Sequence, residues 1–180
     1  MINWYRDICI AGSHKFACVL APITGRTTLR EKIFRFGQTY IADSDLADDG
    51  RDDNPHITVL YGLHSNDPSD AYAIIHRLKP LRIRLGKISA FDSHPDYDVI
   101  KIDVESYDMR LANIMLRMLS HTMTHPEYNP HLTLAYVKKG HCRDLIGSDV
   151  FENITDILDK VEFSTTDDEH IVIELSGRRG

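Results

Sequence analysis

The chain has 180 residues, 42% of them apolar, which suits one globular domain over 1–180 or two small lobes sharing a core. Acids outnumber bases by 27 to 21, and the formal net charge of -6 argues against a protein that coats long nucleic acid. Cys9, Cys18 and Cys142 are an odd count with no CxxC pair, so a disulfide framework and a cysteine zinc site are both unexpected and a reducing cytosol is the expectation.

In chain order, residues 16–23 form an apolar run that reads as a buried strand closed by the turn signal Thr24-Gly25. The run is interrupted by Pro22 and too short to span a bilayer, and Asp7 makes a poor signal-peptide flank, so no membrane partner is expected. Residues 28–36 suit a short helix, with Leu29, Ile33 and Phe36 at i, i+4 and i+7. Residues 41–54 are rich in aspartate and read as a solvated loop. A calcium loop fails there: starting from Asp43, position 6 is Asp48 instead of glycine, and starting from Asp45, position 12 is His56 instead of glutamate.

Residues 56–62 read as a strand ended by glycine, and 68–78 as a helix with Ala71, Ile74, Ile75 and Leu78 on one side, stopped by Pro80. Strands follow over 81–89, where Leu81, Ile83 and Leu85 alternate with Arg82 and Arg84, and over 97–104. Residues 107–123 carry Leu111, Ile114, Met115, Met118 and Leu119, a stripe that predicts an amphipathic helix with its methionines filling the core. A strand over 131–137 and a closing pair, 160–164 with 171–175, complete the pattern. Helices and hairpin-like strands are interleaved, which predicts an α+β fold with antiparallel sheets.

The chain contains one internal repeat of consequence. Asn54-Pro55-His56-Ile57-Thr58-Val59-Leu60-Tyr61-Gly62 matches Asn129-Pro130-His131-Leu132-Thr133-Leu134-Ala135-Tyr136-Val137 at an offset of 75, with five of nine positions identical. Proline lacks a ladder donor, so each copy opens a strand. Strand alternation then puts His56, Thr58 and Leu60 on one face and Ile57, Val59 and Tyr61 on the other; likewise His131, Thr133 and Ala135 oppose Leu132, Leu134 and Tyr136. Two imidazoles can serve as general base and general acid near neutral pH, and two threonine hydroxyls can donate to the oxygens of a phosphate between them. In-line displacement at phosphorus needs base and acid on opposite sides, an arrangement two lobes would supply.

The paired His56-Ile57-Thr58 and His131-Leu132-Thr133 resemble the twin His-x-Thr motifs of the two-histidine (2H) phosphoesterase superfamily. The resemblance implies a bilobal α+β fold with two pseudo-symmetric antiparallel sheets lining a central cleft and helices outside. It implies a metal-independent phosphodiesterase without cofactor, in which His56, Thr58, His131 and Thr133 are catalytic. Within the superfamily the extended motif strings look most like the bacteriophage anti-CBASS enzymes, which degrade cyclic oligonucleotide signals of bacterial immunity. That implies a small cyclic oligonucleotide as partner and a host-cell cytoplasm as location. Enzymes acting on 2′,3′-cyclic phosphates or 2′–5′ RNA ends, and a non-catalytic cyclic-nucleotide sponge, are the alternatives. Tyr40 and Glu162 are candidates for the aromatic and acidic residues such enzymes use outside the motifs.

The other histidines show no metal-ligand spacing; His121 and His125, four apart, read as surface residues. Asn153-Ile154-Thr155 is a glycosylation pattern without meaning in a cytosolic chain. Positive charge lies at Arg77, Lys79, Arg82, Arg84 and Lys87, and the Arg82/Arg84 face or Lys138-Lys139 is a candidate border of a phosphodiester site.

Overall fold

The computed structural model describes residues 15–23, 27–123 and 127–177. Expectations for Asp7, Cys9, Thr24-Gly25 and His125 lie outside them. The elements are β1 (Ala17–Pro22), α1 (Thr27–Tyr40), β2 (Leu46–Arg51), β3 (His56–Leu63), α2 (Ser69–Ile75), β4 (Leu81–Phe91), β5 (Tyr97–Glu105), α3 (Tyr107–Leu116), β6 (His131–Lys138), β7 (Thr155–Leu158), β8 (Lys160–Ser164) and β9 (His170–Glu174).

The nine strands form a curled antiparallel sheet in the order β7-β4-β5-β6-β3-β1-β8-β9, with β2 added to β6. The order is symmetric about its middle: β3-β1-β8-β9 runs out one way and β6-β5-β4-β7 the other. The two expected sheets are thus halves of one, joined by the single residue pair Ile57↔Leu132. Beyond that rung β3 leaves β6, and β2 takes up β6's vacated edge through Leu46↔Val137 and Arg51↔Ala135. This corrects the expectation of an irregular loop over 41–54. Leu46-Ala-Asp-Asp-Gly-Arg has no strand pattern, and it is extended because unpaired backbone groups on β6 need partners.

One face of the sheet carries the core. Ile57, Leu132, Ile100, Ile102 and Phe151 are fully buried, and α1 lays Leu29 and Ile33 against it as its spacing predicts. The α2 stripe also packs as expected, with Ala71 and Ile75 buried and Ile74 and Leu78 partly so. The 107–123 helix is corrected twice. It ends at Leu116, and its buried face is Met109, Ala112, Asn113 and Leu116, leaving Ile114 64% and Met118 85% exposed. The inward face is the one that brings Asn113 Nδ2 to the Val59 carbonyl of β3, at 2.7 Å. A buried donor that must reach a strand carbonyl sets the helix's rotation against the larger apolar stripe.

The closing hairpin β8–β9 pairs Lys160↔Glu174 through Ser164↔His170 as expected. Strand β7, which pairs with β4, had no sequence signal; four residues at a sheet edge are too few to show a period. Cys142 is a free thiol, whereas Cys18 is disulfide-bonded, against the reading of the cysteine count. No helix among the described residues is long and apolar enough to cross a membrane.

Candidate active site

Both motifs start at the junction of the halves. The Ile57↔Leu132 rung, continued one step each way, sets His56 opposite Thr133 and Thr58 opposite His131. The four side chains therefore form a quadrilateral on the face opposite the core, with the histidines on one diagonal and the threonines on the other. In an antiparallel ladder such a diagonal spans roughly 7–8 Å, the scale of a phosphoryl group flanked by its attacking and leaving oxygens. The structure thus brings together all four residues that the sequence singled out.

The imidazoles are oriented identically. His56 Nδ1 lies 2.8 Å from the Asn54 carbonyl, and His131 Nδ1 lies 2.7 Å from the Asn129 carbonyl. A carbonyl only accepts, so Nδ1 carries the proton in both rings and Nε2 keeps the lone pair. The repeated Asn-Pro is thereby explained: proline sets the extended approach, and the asparagine's backbone oxygen fixes the tautomer.

The simple alternation of the strands is broken at the same place in both copies. On β3 the register passes from Leu20↔Thr58 to Val19↔Leu60, so Val59 is an extra residue; on β6 it passes from Lys101↔Thr133 to Ile100↔Ala135, so Leu134 is the extra one. These matching bulges shift the two residues that follow each extra one by one face. Leu60 joins the core, while Tyr61, opposite Cys18, and Tyr136, opposite Val99, lie on the histidine face. Both tyrosines were expected on the other side. The identity of tyrosine in the two copies was the available signal. Tyr136 packs edge-on to Tyr97 with ring centroids 5.7 Å apart, in a small aromatic cluster separate from the main core.

The halves differ in what flanks the motifs. On β5, Lys101 faces Thr133 and Asp103 faces His131. Lys101 Nζ donates to Ser89 Oγ at 2.7 Å and to Asp103 Oδ1, and stands 4.4 Å from the centroid of the Phe91 ring; His131 meets that ring edge-on at 4.9 Å. Burial pushes the Asp103 carboxyl up, but the Lys101 and Ser89 hydrogen bonds outweigh it and hold the carboxyl below the ordinary range. In the other half the equivalent β1 positions are Leu20, opposite Thr58, and Pro22, opposite His56. There the charge comes from Asp52: Oδ2 is 3.3 Å from His56 Nδ1 and Oδ1 accepts from the Asn54 N–H at 2.9 Å. Lys101, Asp103 and Asp52 were not singled out from sequence, since the first two join the site only through sheet register. Tyr128, three residues before His131, crosses between halves to donate to the Thr58 carbonyl at 2.9 Å.

The remaining expectations divide. Glu162 lies across Leu20 from Thr58 on the histidine face, with His170 Nδ1 at 3.0 Å from its carboxylate. Burial lowers the His170 pKa, but the hydrogen bonds it donates to Glu162 and Asp168 outweigh it and leave it raised. Tyr40 is exposed at the end of α1, its ring 4.6 Å from Phe36. Arg82 is paired with Asp108 and Arg84 with Glu105. Lys138 and Lys139 sit at the far end of β6, seven and eight residues from His131, which in a strand is roughly 23–26 Å; Lys139 is spent on Asp98 at 2.8 Å. His121 is half-buried, its Nδ1 at 2.8 Å from the Leu119 carbonyl. Among the described residues no group of three or more His, Cys, Asp or Glu side chains is placed to hold a metal ion.

The curled antiparallel sheet of two pseudo-symmetric halves is a 2H phosphoesterase-like fold, and solved structures share it. The chain is similar over 91% of its length to all of TT0787 of Thermus thermophilus, with a TM-score of 0.64 and 16% identity. It is similar to Usb1 of Kluyveromyces marxianus, solved with uridine monophosphate, at a TM-score of 0.57 and 7% identity, covering 91% of this chain and 99% of that one. It is also similar to Escherichia coli LigT, solved with phosphate, at 0.54 and 13%, covering 89% and 93%. No family model and no curated protein matches the sequence.

Proposed function

We propose that the protein is a metal-independent phosphodiesterase that cuts the 3′–5′ linkages of small cyclic oligonucleotides, with His56 and His131 as its acid–base pair. The observation that carries this reading is the diagonal placement of two imidazoles whose Nδ1 protons are held by Asn54 and Asn129. Each ring then offers Nε2 to substrate, one as base when neutral and one as acid when protonated. One imidazole removes the proton of a ribose 2′-hydroxyl, whose oxygen attacks the adjacent phosphorus. The bond from phosphorus to the 5′-oxygen breaks, and the other imidazole protonates that oxygen. The product is a 2′,3′-cyclic phosphate, which water opens with the two roles exchanged. Thr58 and Thr133 donate to the non-bridging oxygens, and Lys101, beside Thr133, adds the positive charge that an acidic protein must concentrate locally. Phe91, beside His131, and Glu162, across Leu20 from Thr58, are available to bases at the margins.

The biological reading that goes with this substrate is counter-defence by a phage in its host's cytoplasm, degrading a bacterial immune signal. A second reading, a phosphodiesterase of RNA ends, is favoured by the similarity to Usb1 bound to uridine monophosphate. One experiment tests both. The protein is incubated in EDTA with cyclic di- and trinucleotides, 2′,3′-cyclic mononucleotides and 2′–5′ oligonucleotides, and products are separated by chromatography. Turnover of the cyclic oligonucleotides that vanishes in His56→Ala and His131→Ala is the expected result. Turnover of RNA ends alone would select the second reading, intact ligand recovered after denaturation a sponge, and a need for added metal would overturn the mechanism.

A further inference from the structure

The repeat extends further upstream than its identical residues. An acid stands four residues before each histidine: Asp52 before His56 and Glu127 before His131. Only one of them closes on its ring. Asp52 is 14% exposed, with Oδ2 at 3.3 Å from His56 Nδ1, while Glu127 is exposed to solvent. Asp52 is fixed from both ends, since its backbone N–H donates to the Leu134 carbonyl at 3.2 Å and its Oδ1 accepts from Asn54 N. It therefore belongs to the turn between β2, at the edge of β6, and β3.

We propose that Asp52 is a positioning residue that makes His56 the general base of the first step, leaving His131 as the acid. The inference rests on the phosphodiesterase reading above and adds a direction to it. The Asn54 carbonyl already holds the Nδ1 proton and with it the tautomer; a carboxylate beside that nitrogen adds stabilisation of the imidazolium that forms on proton abstraction. The opposite ring has a different neighbourhood. The Lys101 ammonium shares the Phe91 ring with His131, and the Asp103 carboxylate facing His131 is bound to Lys101 and Ser89. A fixed cation there favours giving a proton away. Burial pushes the Asp52 carboxyl above the ordinary range, and the His56 imidazole opposes that rise.

The charged and titratable groups around His56 are Asp52 and Asp53 from the turn, Arg30 of α1, which is held by Asn54 Oδ1 at 3.1 Å, and Lys101 beyond Thr133. Around His131 they include Asp103 and Lys101. Asp52→Asn keeps shape and removes charge, and Asp52→Glu restores the charge. The test is the pH profile of kcat/KM of the full chain on 3′,3′-cyclic di-AMP, with imidazole titration by NMR. In Asp52→Asn the acidic limb moves down by about half a unit or more, kcat/KM falls about tenfold or more, and Asp52→Glu recovers part of both. Glu127→Gln moves neither limb. On 2′,3′-cyclic AMP, where the roles exchange, Asp52→Asn moves the basic limb instead. An unmoved profile, or the basic limb moving on the cyclic dinucleotide, overturns the assignment while the phosphodiesterase stands. No turnover of either probe overturns both.

Discussion

Ile57 and Leu132 face each other across the one rung that joins the two halves of the sheet, and both side chains are fully buried on the core side. The same rung sets the spacing of the histidines and threonines on the other side, so packing and chemistry share one register. Ile57→Ala is expected to cost about 2–4 kcal/mol by opening a cavity under the seam. Activity should fall beyond what the unfolded fraction explains, measured by chemical denaturation alongside kcat/KM at a temperature where the variant is folded.

His56 and His131 lie at the sheet surface and contribute little to the core. Replacing either with alanine should lower kcat by roughly 10²–10⁴ while thermal unfolding changes by only a few degrees. Thr58→Val and Thr133→Val should each cost about 10²-fold in kcat. Equal losses in KM alone would mean that the hydroxyls bind ground state and transition state alike.

Lys101 is a cation inside the sheet's polar layer, with Ser89, Asp103 and the Phe91 ring around it. Lys101→Met keeps the stem and removes the charge. The expected outcome is a rise in KM for a phosphodiester of about tenfold, weakening further with salt less than in the native protein, because a screened interaction has been lost.

Asp98 has a side chain only 2% exposed, and it accepts from Lys139 Nζ at 2.8 Å, from Gly140 N at 2.9 Å and faces Arg143 at 3.4 Å. Burial raises its pKa, but these partners together leave it below the ordinary aspartate value of 3.8. A carboxylate lowered in the folded state adds stability that is complete above the unfolded value and is lost as pH falls through the folded one. Asp98→Asn should therefore destabilise by about 2 kcal/mol at pH 7. Below pH ~3.8 the difference from the native protein should shrink, as followed by urea midpoints across pH.

Gly62 has φ +100°, and a Cβ there would stand 2.3 Å from the Thr122 carbonyl oxygen. Thr122 N–H in turn donates to the Gly62 carbonyl at 2.8 Å. Gly62→Ala combines backbone strain with a clash against backbone, and should destabilise by about 2–4 kcal/mol. Hydrogen exchange at Thr122 would report the broken contact directly.

The repeat, the strand faces immediately around each His-x-Thr and the α+β class follow from residue type and short-range period, which is why they could be read before any coordinates. The tyrosine faces could not: a bulge adds one residue against the neighbouring strand, and that neighbour lies far away in the chain, β1 for Val59 and β5 for Leu134. The same holds for α3, where a single buried amide overrides an apolar stripe, and for β2, which owes its shape to an edge that β3 vacates.

The amino-acid sequence by itself determined that two histidine–threonine strands exist, each with an Asn-Pro entrance and an acid four residues before its histidine. Only the tertiary structure decided that the strands meet at one rung, that Lys101 and Asp103 attend the second motif, and that Asp52 closes on its histidine while Glu127 stays in solvent. The reason is that local pattern encodes what a segment can become, whereas pairing between distant strands sets which side chains share a space.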